Sequence, residues 1–329
     1  MILDKLPKVK LGFFPTPLEE LTRLSDLLDG PRIFVKRDDL SGLAFGGNKV
    51  RKLEYLVGEA ISLGADTLLT AGAVQSNHCR QTAAAAARCG LKCELLLGGP
   101  EPQIPQGNLL LDTILGARFH FSTSGRKGES LEKMAASSRQ AGHKPYVIPY
   151  GGSNAVGGVG FAAAIIEVVG QLAALGISLD RIVFPSSSGG TQAGMIVGAA
   201  IAGFSGRLTG IRIDKVDPPD VAFRLLLPEL ARQIGKRLEF TGTFHDTLFE
   251  LNEDYLGEGY GIPGKLEREA ILLLGRTEGI LLDPVYTGRA MGGMLDMIRS
   301  GKIAASETIL FWHTGGSPAL FAYPPGAFL

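Results

Sequence analysis

Residues 181–198 read RIVFPSSSGGTQAGMIVG: a short β-rich apolar run, a Ser/Gly turn, then an apolar stretch of helical length. That order of strand, tight turn and helix is the basic unit of an α/β sheet. Gly189 and Gly190 let the backbone bend so that successive N–H groups converge. The dipole of the helix that follows adds positive potential, so Ser187, Ser188, Gly189, Gly190 and Thr191 suit a phosphate. The same residues also suit a plain strand-to-helix loop capped at Ser188 or Thr191, and the motif alone leaves both readings open.

Working outward, the same alternation runs through the chain. Strands are expected at 32–37, 67–72, 93–99, 118–123, 145–151, 181–187, 208–213, 280–286 and 308–314. Helices are expected at 48–63, 76–89, 129–142, 156–174, 191–203 and 288–300. The pattern predicts an α/β fold with parallel sheets covered by helices. In such sheets ligands bind beyond the carboxyl ends of the strands, which singles out AGAVQSNHCRQ, PSSSGGTQAG, DPVYTGRA and WHTGGSPA.

Composition narrows the classes. The 329 residues favour two domains over one. With 33 basic and 33 acidic residues there is no bias toward nucleic acid or a membrane surface. The longest apolar runs, Ala155 to Ile166 and Ala193 to Phe204, fall short of the roughly 18 residues that span a bilayer. The first residues, MILDKLPKVK, read as no secretory signal. Three cysteines without a C-x-x-C pair indicate reduced thiols and a cytoplasmic location. Five scattered histidines, none in ligand spacing, give no metal site.

Two further junctions carry chemistry. FGGNKVRKLEYL (45–56) places Lys49, Arg51 and Lys52 at a helix start, where the dipole disfavours cations. A solvated first turn is the ordinary reading; something anionic, or reactive toward an amine, is the other. In AVQSNHCRQ (73–81), Ser76, Asn77 and His78 open an Ala-rich helix whose N–H groups suit a carboxylate. Cys79 points away from His78 and is a poor nucleophile candidate. Gly158, Gly160 and Ala163 match G-x-G-x-x-A, the basis of a rival nicotinamide-dependent oxidoreductase reading. Six residues separate that match from its strand, which weakens it. GYGIPGK (259–265) begins like a P-loop but lacks the hydroxyl residue at Leu266.

A lysine at a helix start, a neutral phosphate loop, an Asn-bearing anion loop and hydroxyl-rich strand ends are the parts that hold pyridoxal phosphate. The blocks KRDDLSGLAFGGNKVRKLE (36–54), AVQSNHCRQTAAAAA (73–87), SSSGGTQAG (186–194), GEGYGIP (257–263), LDPVYTG (282–288) and HTGGSPALF (313–321) resemble, in order, the D-cysteine desulfhydrase and 1-aminocyclopropane-1-carboxylate deaminase family of fold-type II pyridoxal phosphate enzymes. The resemblance implies a two-domain fold, tryptophan synthase β-like. Residues 50–155 would form a small inserted domain, and 1–49 with 156–329 the large cofactor-binding one. It implies Lys49 as the lysine that condenses with the cofactor aldehyde, its position mattering more than its cationic neighbours. Asn77 would bond the cofactor's phenolic oxygen, and Ser187 to Thr191 its phosphate. Gln75, Ser76, Asn77, His78 and Tyr286 would meet the amino-acid substrate, with Ser76 and Tyr286 beside Lys49 in catalysis. A homodimer is implied as well. Ser187 departs from the glycine common in relatives, so the first bend of that loop is open to difference.

Within the family, Thr287 and Thr314 are the discriminating positions. The deaminase pattern resembles DPVYEG with HLGG; the desulfhydrase pattern has threonine at both. A carboxylate against the pyridine nitrogen keeps it protonated and strengthens the electron sink, and a hydroxyl does not. The two threonines therefore imply β-elimination from D-cysteine, with cyclopropane opening and sulfite release from cysteate as the alternatives.

Overall fold

The computed structural model describes residues 2–123, 125, 127–215 and 222–328. Its strands are β1 Leu18–Glu20, β2 Arg32–Arg37, β3 Thr67–Ala73, β4 Lys92–Gly98, β5 Arg118–Ser122, β6 Pro145–Val147, β7 Arg181–Ser186, β8 Arg207–Arg212, β9 Leu251–Asn252 and β10 Thr308–His313. Its α-helices are α1 Thr22–Leu28, α2 Lys49–Ser62, α3 Asn77–Cys89, α4 Gly107–Ile114, α5 Leu131–Gln140, α6 Ala155–Leu175, α7 Gly190–Ala202, α8 Phe223–Arg237, α9 Lys265–Glu278 and α10 Thr287–Arg299.

The strands form two sheets. One has the order β1-β2-β10-β7-β8-β9 and draws on both ends of the chain; the other, β5-β4-β3-β6, lies wholly between residues 67 and 147. Apart from the antiparallel β1–β2 edge, every pairing is parallel. Parallel strands are covered on both faces, and β7 is buried along its whole length as RIVFPS. The α/β class and the parallel sheets match the sequence reading.

A single core cluster runs from Phe34 and Leu310 under the first sheet to Leu68 and Leu95 in the second, through α2, α6 and α7. By length and composition α6 is apolar enough to cross a membrane, and it exceeds the apolar run read from sequence. Its neighbours account for that: α2, α7 and α8 pack on it, and a helix covered on several sides is apolar all round. The glycines of the dinucleotide-like match serve this packing. A Cβ at Gly160 would strike the Arg51 carbonyl, one at Gly158 the Ile234 side chain, and one at Gly194 on α7 the Gly158 carbonyl. Gly158 to Ala163 is thus a helix-crossing stripe inside α6 and binds no dinucleotide.

One expected strand is absent. Residues 280–286 pair with none of the described strands and end in a turn, because the Asp283 carboxylate takes the N–H groups of Val285 (3.0 Å), Tyr286 (3.0 Å) and Thr287 (2.7 Å). These bonds fold the apolar run into the cap of α10.

Candidate active site

The carboxyl ends of β3, β7 and β10 and the start of α2 meet around a cleft. Lys49, Ser76, Asn77, His78, Ser187, Ser188, Gly189, Thr191, Tyr286 and Thr314 all line it. Segments 265 residues apart in sequence are brought to one place. Gln75, Gly190 and Thr287 are not among its lining residues; Asn48, Tyr150 and Gly151 are.

The start of α2 is stitched to both neighbouring junctions. Asn48 N donates to the Thr314 carbonyl (3.0 Å) and Asn48 Nδ2 to Thr191 Oγ1 (3.2 Å). Among the described residues Lys49 Nζ has no hydrogen-bond or ion-pair partner. Burial without a counter-charge pushes its pKa down to about 8, so a sizeable neutral fraction exists near physiological pH.

The basic neighbours are not a solvated turn, and they matter more than the sequence suggested. Arg51 is buried and pairs with Asp38 (2.9 Å) and Glu167 (2.9 Å). Asp38 also accepts from Trp312 Nε1 (2.8 Å) on β10, so one ionic network holds α2 against the strand that delivers Thr314. Lys52 is fully buried and donates to the Gly151 carbonyl (3.1 Å) and Ser153 Oγ (3.3 Å), with no carboxylate partner among the described residues. Burial, then the charge of Lys49, holds its pKa well below the ordinary lysine value. Ser153 Oγ in turn meets Ser188 Oγ (2.8 Å) and the Gly190 N–H (3.1 Å). A Cβ at Gly190 would lie 2.6 Å from Ser153 Oγ and 2.9 Å from Lys52 Nζ. Gly189 has φ +84°, which favours glycine. The loop is therefore a cradle with a buried lysine amine beside it.

At the β3–α3 junction Ser76 caps α3, its Oγ accepting from Cys79 N (3.2 Å), which leaves the hydroxyl proton free to donate. Asn77 Oδ1 accepts from Asn108 Nδ2 (2.9 Å), so its Nδ2 is left as a donor. The side chain of Gln75 is spent on the backbone of Gln106 and Asn108, at 3.0 and 2.8 Å, and builds the α3–α4 junction. His78 Nε2 lies 2.9 Å from Thr70 Oγ1, whose proton goes to the Ile148 carbonyl. The imidazole therefore carries its proton on Nε2, and Nδ1 is a buried acceptor without a partner among the described residues. Burial, then the charges of Lys49 and Lys52, hold the ring neutral. In that state His78 donates through Nε2 to Thr70 and offers only an acceptor at Nδ1, whereas Ser76 and Asn77 keep donors of the kind a carboxylate needs.

On the opposite wall, Tyr286 OH lies 2.6 Å from Tyr260 OH, the rings edge to face. Burial and the neighbouring phenols hold Tyr286 well above the ordinary tyrosine pKa, so it stays protonated. Thr287 is fully buried beneath the cleft, its Oγ1 donating to Asp283 Oδ1 (2.7 Å) and accepting from Asp283 N (2.7 Å). Thr314 lines the floor, and among the described residues its hydroxyl has no partner.

The model of a protein family described as pyridoxal-phosphate dependent enzymes matches residues 9–315. The chain belongs to that family. A crystal structure described as the ACC deaminase homologue superposes with a TM-score of 0.89 at 37% identity, covering 99% of this chain and 97% of the other. More distant solved structures share the fold. Escherichia coli diaminopropionate ammonia lyase has a TM-score of 0.66 at 15% identity, covering 97% and 87% of the two chains. O-ureido-L-serine synthase has 0.68 at 17%, covering 97% and 92%. The nicotinamide reading is thereby replaced.

The residues present fit pyridoxal phosphate. A buried ammonium without a counter-ion next to glycine N–H groups at a helix start calls for an anion, and an unpaired lysine of lowered pKa calls for an electrophile. Reading the sequence assigned no site role to Lys52, though it named it at the helix start, and none to Asn48, Ser153, Tyr260 or Asp283. A signal existed for Lys52: three residues after Lys49 it shares the same helix face, and no acidic residue follows at the next turn to pair with it.

Proposed function

We propose that this pyridoxal-phosphate dependent enzyme is a carbon–sulfur lyase that converts D-cysteine and water to pyruvate, ammonia and hydrogen sulfide. The observation that carries this reading is the chemistry of the cleft floor: no Asp or Glu is among its lining residues, and the free hydroxyl of Thr314 stands there. A neutral hydroxyl suits elimination of a good leaving group such as hydrosulfide, whereas opening a cyclopropane calls for a carboxylate-supported sink.

When bound, pyridoxal phosphate supplies an electron sink conjugated to the amino acid's Cα. The protein's own groups do the rest. Gly189, Gly190 and Thr191, with Ser187, Ser188 and Lys52, would anchor the phosphate. The hydroxyl of Ser76 and the amide of Asn77 hold and orient the substrate carboxylate. Lys49, neutral in part because its amine is desolvated, takes the Cα proton. Tyr286, kept protonated, gives a hydrogen bond to the sulfur as the Cβ–S bond breaks with its electron pair on sulfur. The cleft between the two sheets limits water during that step.

The same reading makes residues 50–155 an inserted small domain and 1–49 with 156–329 the large one, supported by the membership of the two sheets. A homodimer rests on the family resemblance alone, and a cytoplasmic location is supported by three free cysteines. A second reading, ACC deaminase, is favoured by the description of the 37% identical structure. Sulfide release from D-cysteine and 2-oxobutanoate release from 1-aminocyclopropane-1-carboxylate separate the two. The parent is expected to give sulfide, and Thr287→Glu with Thr314→Leu to lower sulfide release and open the ring measurably. If the parent opens the cyclopropane as readily as it releases sulfide, the desulfhydrase reading is wrong.

A further inference from the structure

Arg289 stands on α10, two residues past Thr287, and is fully buried without lining the cleft. All five of its N–H donors are used. Nε meets Glu267 Oε1 (2.6 Å); Nη1 meets the carbonyls of Ile213 (2.9 Å) and Leu256 (2.7 Å); Nη2 meets those of Gly259 (3.1 Å) and Ile262 (3.1 Å). Three of those carbonyls belong to the loop that bears Tyr260. Gly257, at φ +60°, brings the backbone so close that a Cβ there would lie 2.9 Å from Arg289 Nη2. Tyr323 closes the loop from the other side, its OH donating to the Gly261 carbonyl (2.7 Å). This stretch is the P-loop-like GYGIPGK, and its carbonyls, not its N–H groups, converge on a ligand: the guanidinium.

We propose that Arg289 is a positioning residue. It fixes loop 256–262 so that the Tyr260 hydroxyl reaches Tyr286 and sets which way the Tyr286 proton points into the cleft. The proposal rests on the reading above that Tyr286 meets the substrate. A planar fork with five donors can span four separated carbonyls and a carboxylate; a lysine, with three donors on one atom, cannot. Tyr286 sits at the start of the same helix as Arg289, so one element carries both the acting group and the clamp for its partner.

The test is a double-mutant cycle in the holoenzyme, with Arg289→Lys, Tyr260→Phe and the pair. Sulfide release from D-cysteine is followed alongside hydrogen exchange of residues 256–262 in the cofactor-free protein. Each single change is expected to lower kcat about tenfold, as misplacement of a reacting group does, with KM changed less than kcat. The pair is expected to be no slower than Tyr260→Phe alone, and Arg289→Lys to raise exchange in the loop above that of the parent. Independent, multiplicative losses in kcat, or unchanged loop exchange, overturn the proposal. A parent that turns over a different amino acid but not D-cysteine overturns the substrate reading instead, and the cycle is then run on that amino acid. Should Arg289→Lys fail to fold, Gly257→Ala, which pushes the loop off the guanidinium, reads the same geometry and is expected to lower kcat in the same coupled way.

Discussion

Replacing Lys52 by methionine should make the cofactor-free protein more stable and the cofactor less tightly held. In the structure Lys52 Nζ is sealed from solvent with two neutral acceptors, Gly151 O and Ser153 Oγ, and no carboxylate partner among the described residues. Losing those two bonds costs about 1 kcal/mol each. Relieving a buried amine whose charged form burial disfavours returns more, on the scale of the about 1–4 kcal/mol gained when buried ionic groups are replaced by apolar ones, and methionine has similar length and volume. The net expectation is an apo form more stable by about 1 kcal/mol. The phosphate, meanwhile, loses one charge-assisted hydrogen bond worth about 1.5–3 kcal/mol, a ten- to hundredfold weaker Kd. Urea unfolding of the cofactor-free variant measures the first quantity and spectroscopic titration with pyridoxal phosphate the second. Parent-like cofactor affinity in a folded variant would show that this lysine does not face the phosphate. An apo form that loses several kcal/mol would show that the ammonium has a counter-charge.

Two further expectations concern Lys49. Lys49→Ala should fold and still bind the cofactor but release no pyruvate or sulfide; substantial turnover would remove its assignment. The cofactor-free parent should also gain stability over Lys49→Ala as pH rises. The folded-state pKa of about 8 lies below the unfolded value of 10.5, so the unfolded chain holds more protons between them, and the penalty of burying the ammonium fades across that window. Urea unfolding of both proteins at several pH values reads the difference, and a flat difference from pH 8 to 10 would contradict it.

Much of the site was legible in sequence because its parts sit at strand ends, where side chains escape the core pattern. Lys49, Asn77 and the Ser187–Thr191 loop stood out for that reason and all line or border one cleft. The support beneath them was not legible. Arg51 and Lys52 look like surface charge until α2 is seen pressed between α3 and α6, with Asp38 and Glu167 arriving from 13 residues before and 116 after Arg51. Partition into two sheets depends on crossovers that no local pattern encodes. Among the helices, α8 escaped notice because Pro228 interrupts its pattern. The helix α9 follows a Gly/Pro run that reads as loop, and its start is fixed by Glu267 accepting from the Gly264 N–H. The edge strands β1 and β9 are too short for any alternation to show.

The structure also divides the work of the two threonines. Sequence treats them as an equal pair at the pyridine nitrogen. Thr287, however, is fully buried, and its backbone and hydroxyl make three of the bonds that hold Asp283 in the cap of α10. Glutamate there loses the hydroxyl bonds and places a second carboxylate within one turn of Asp283, which raises the cost of ionising either. Thr314 carries no such duty. Its hydroxyl has no partner among the described residues and lines the cleft, so exchange to leucine changes the chemistry of the cleft with little demand on the fold. Of the two singles, Thr314→Leu is thus the one whose effect on sulfide release reports on the floor itself. A loss seen with Thr287→Glu has to be read against the stability that the Asp283 cap supplies.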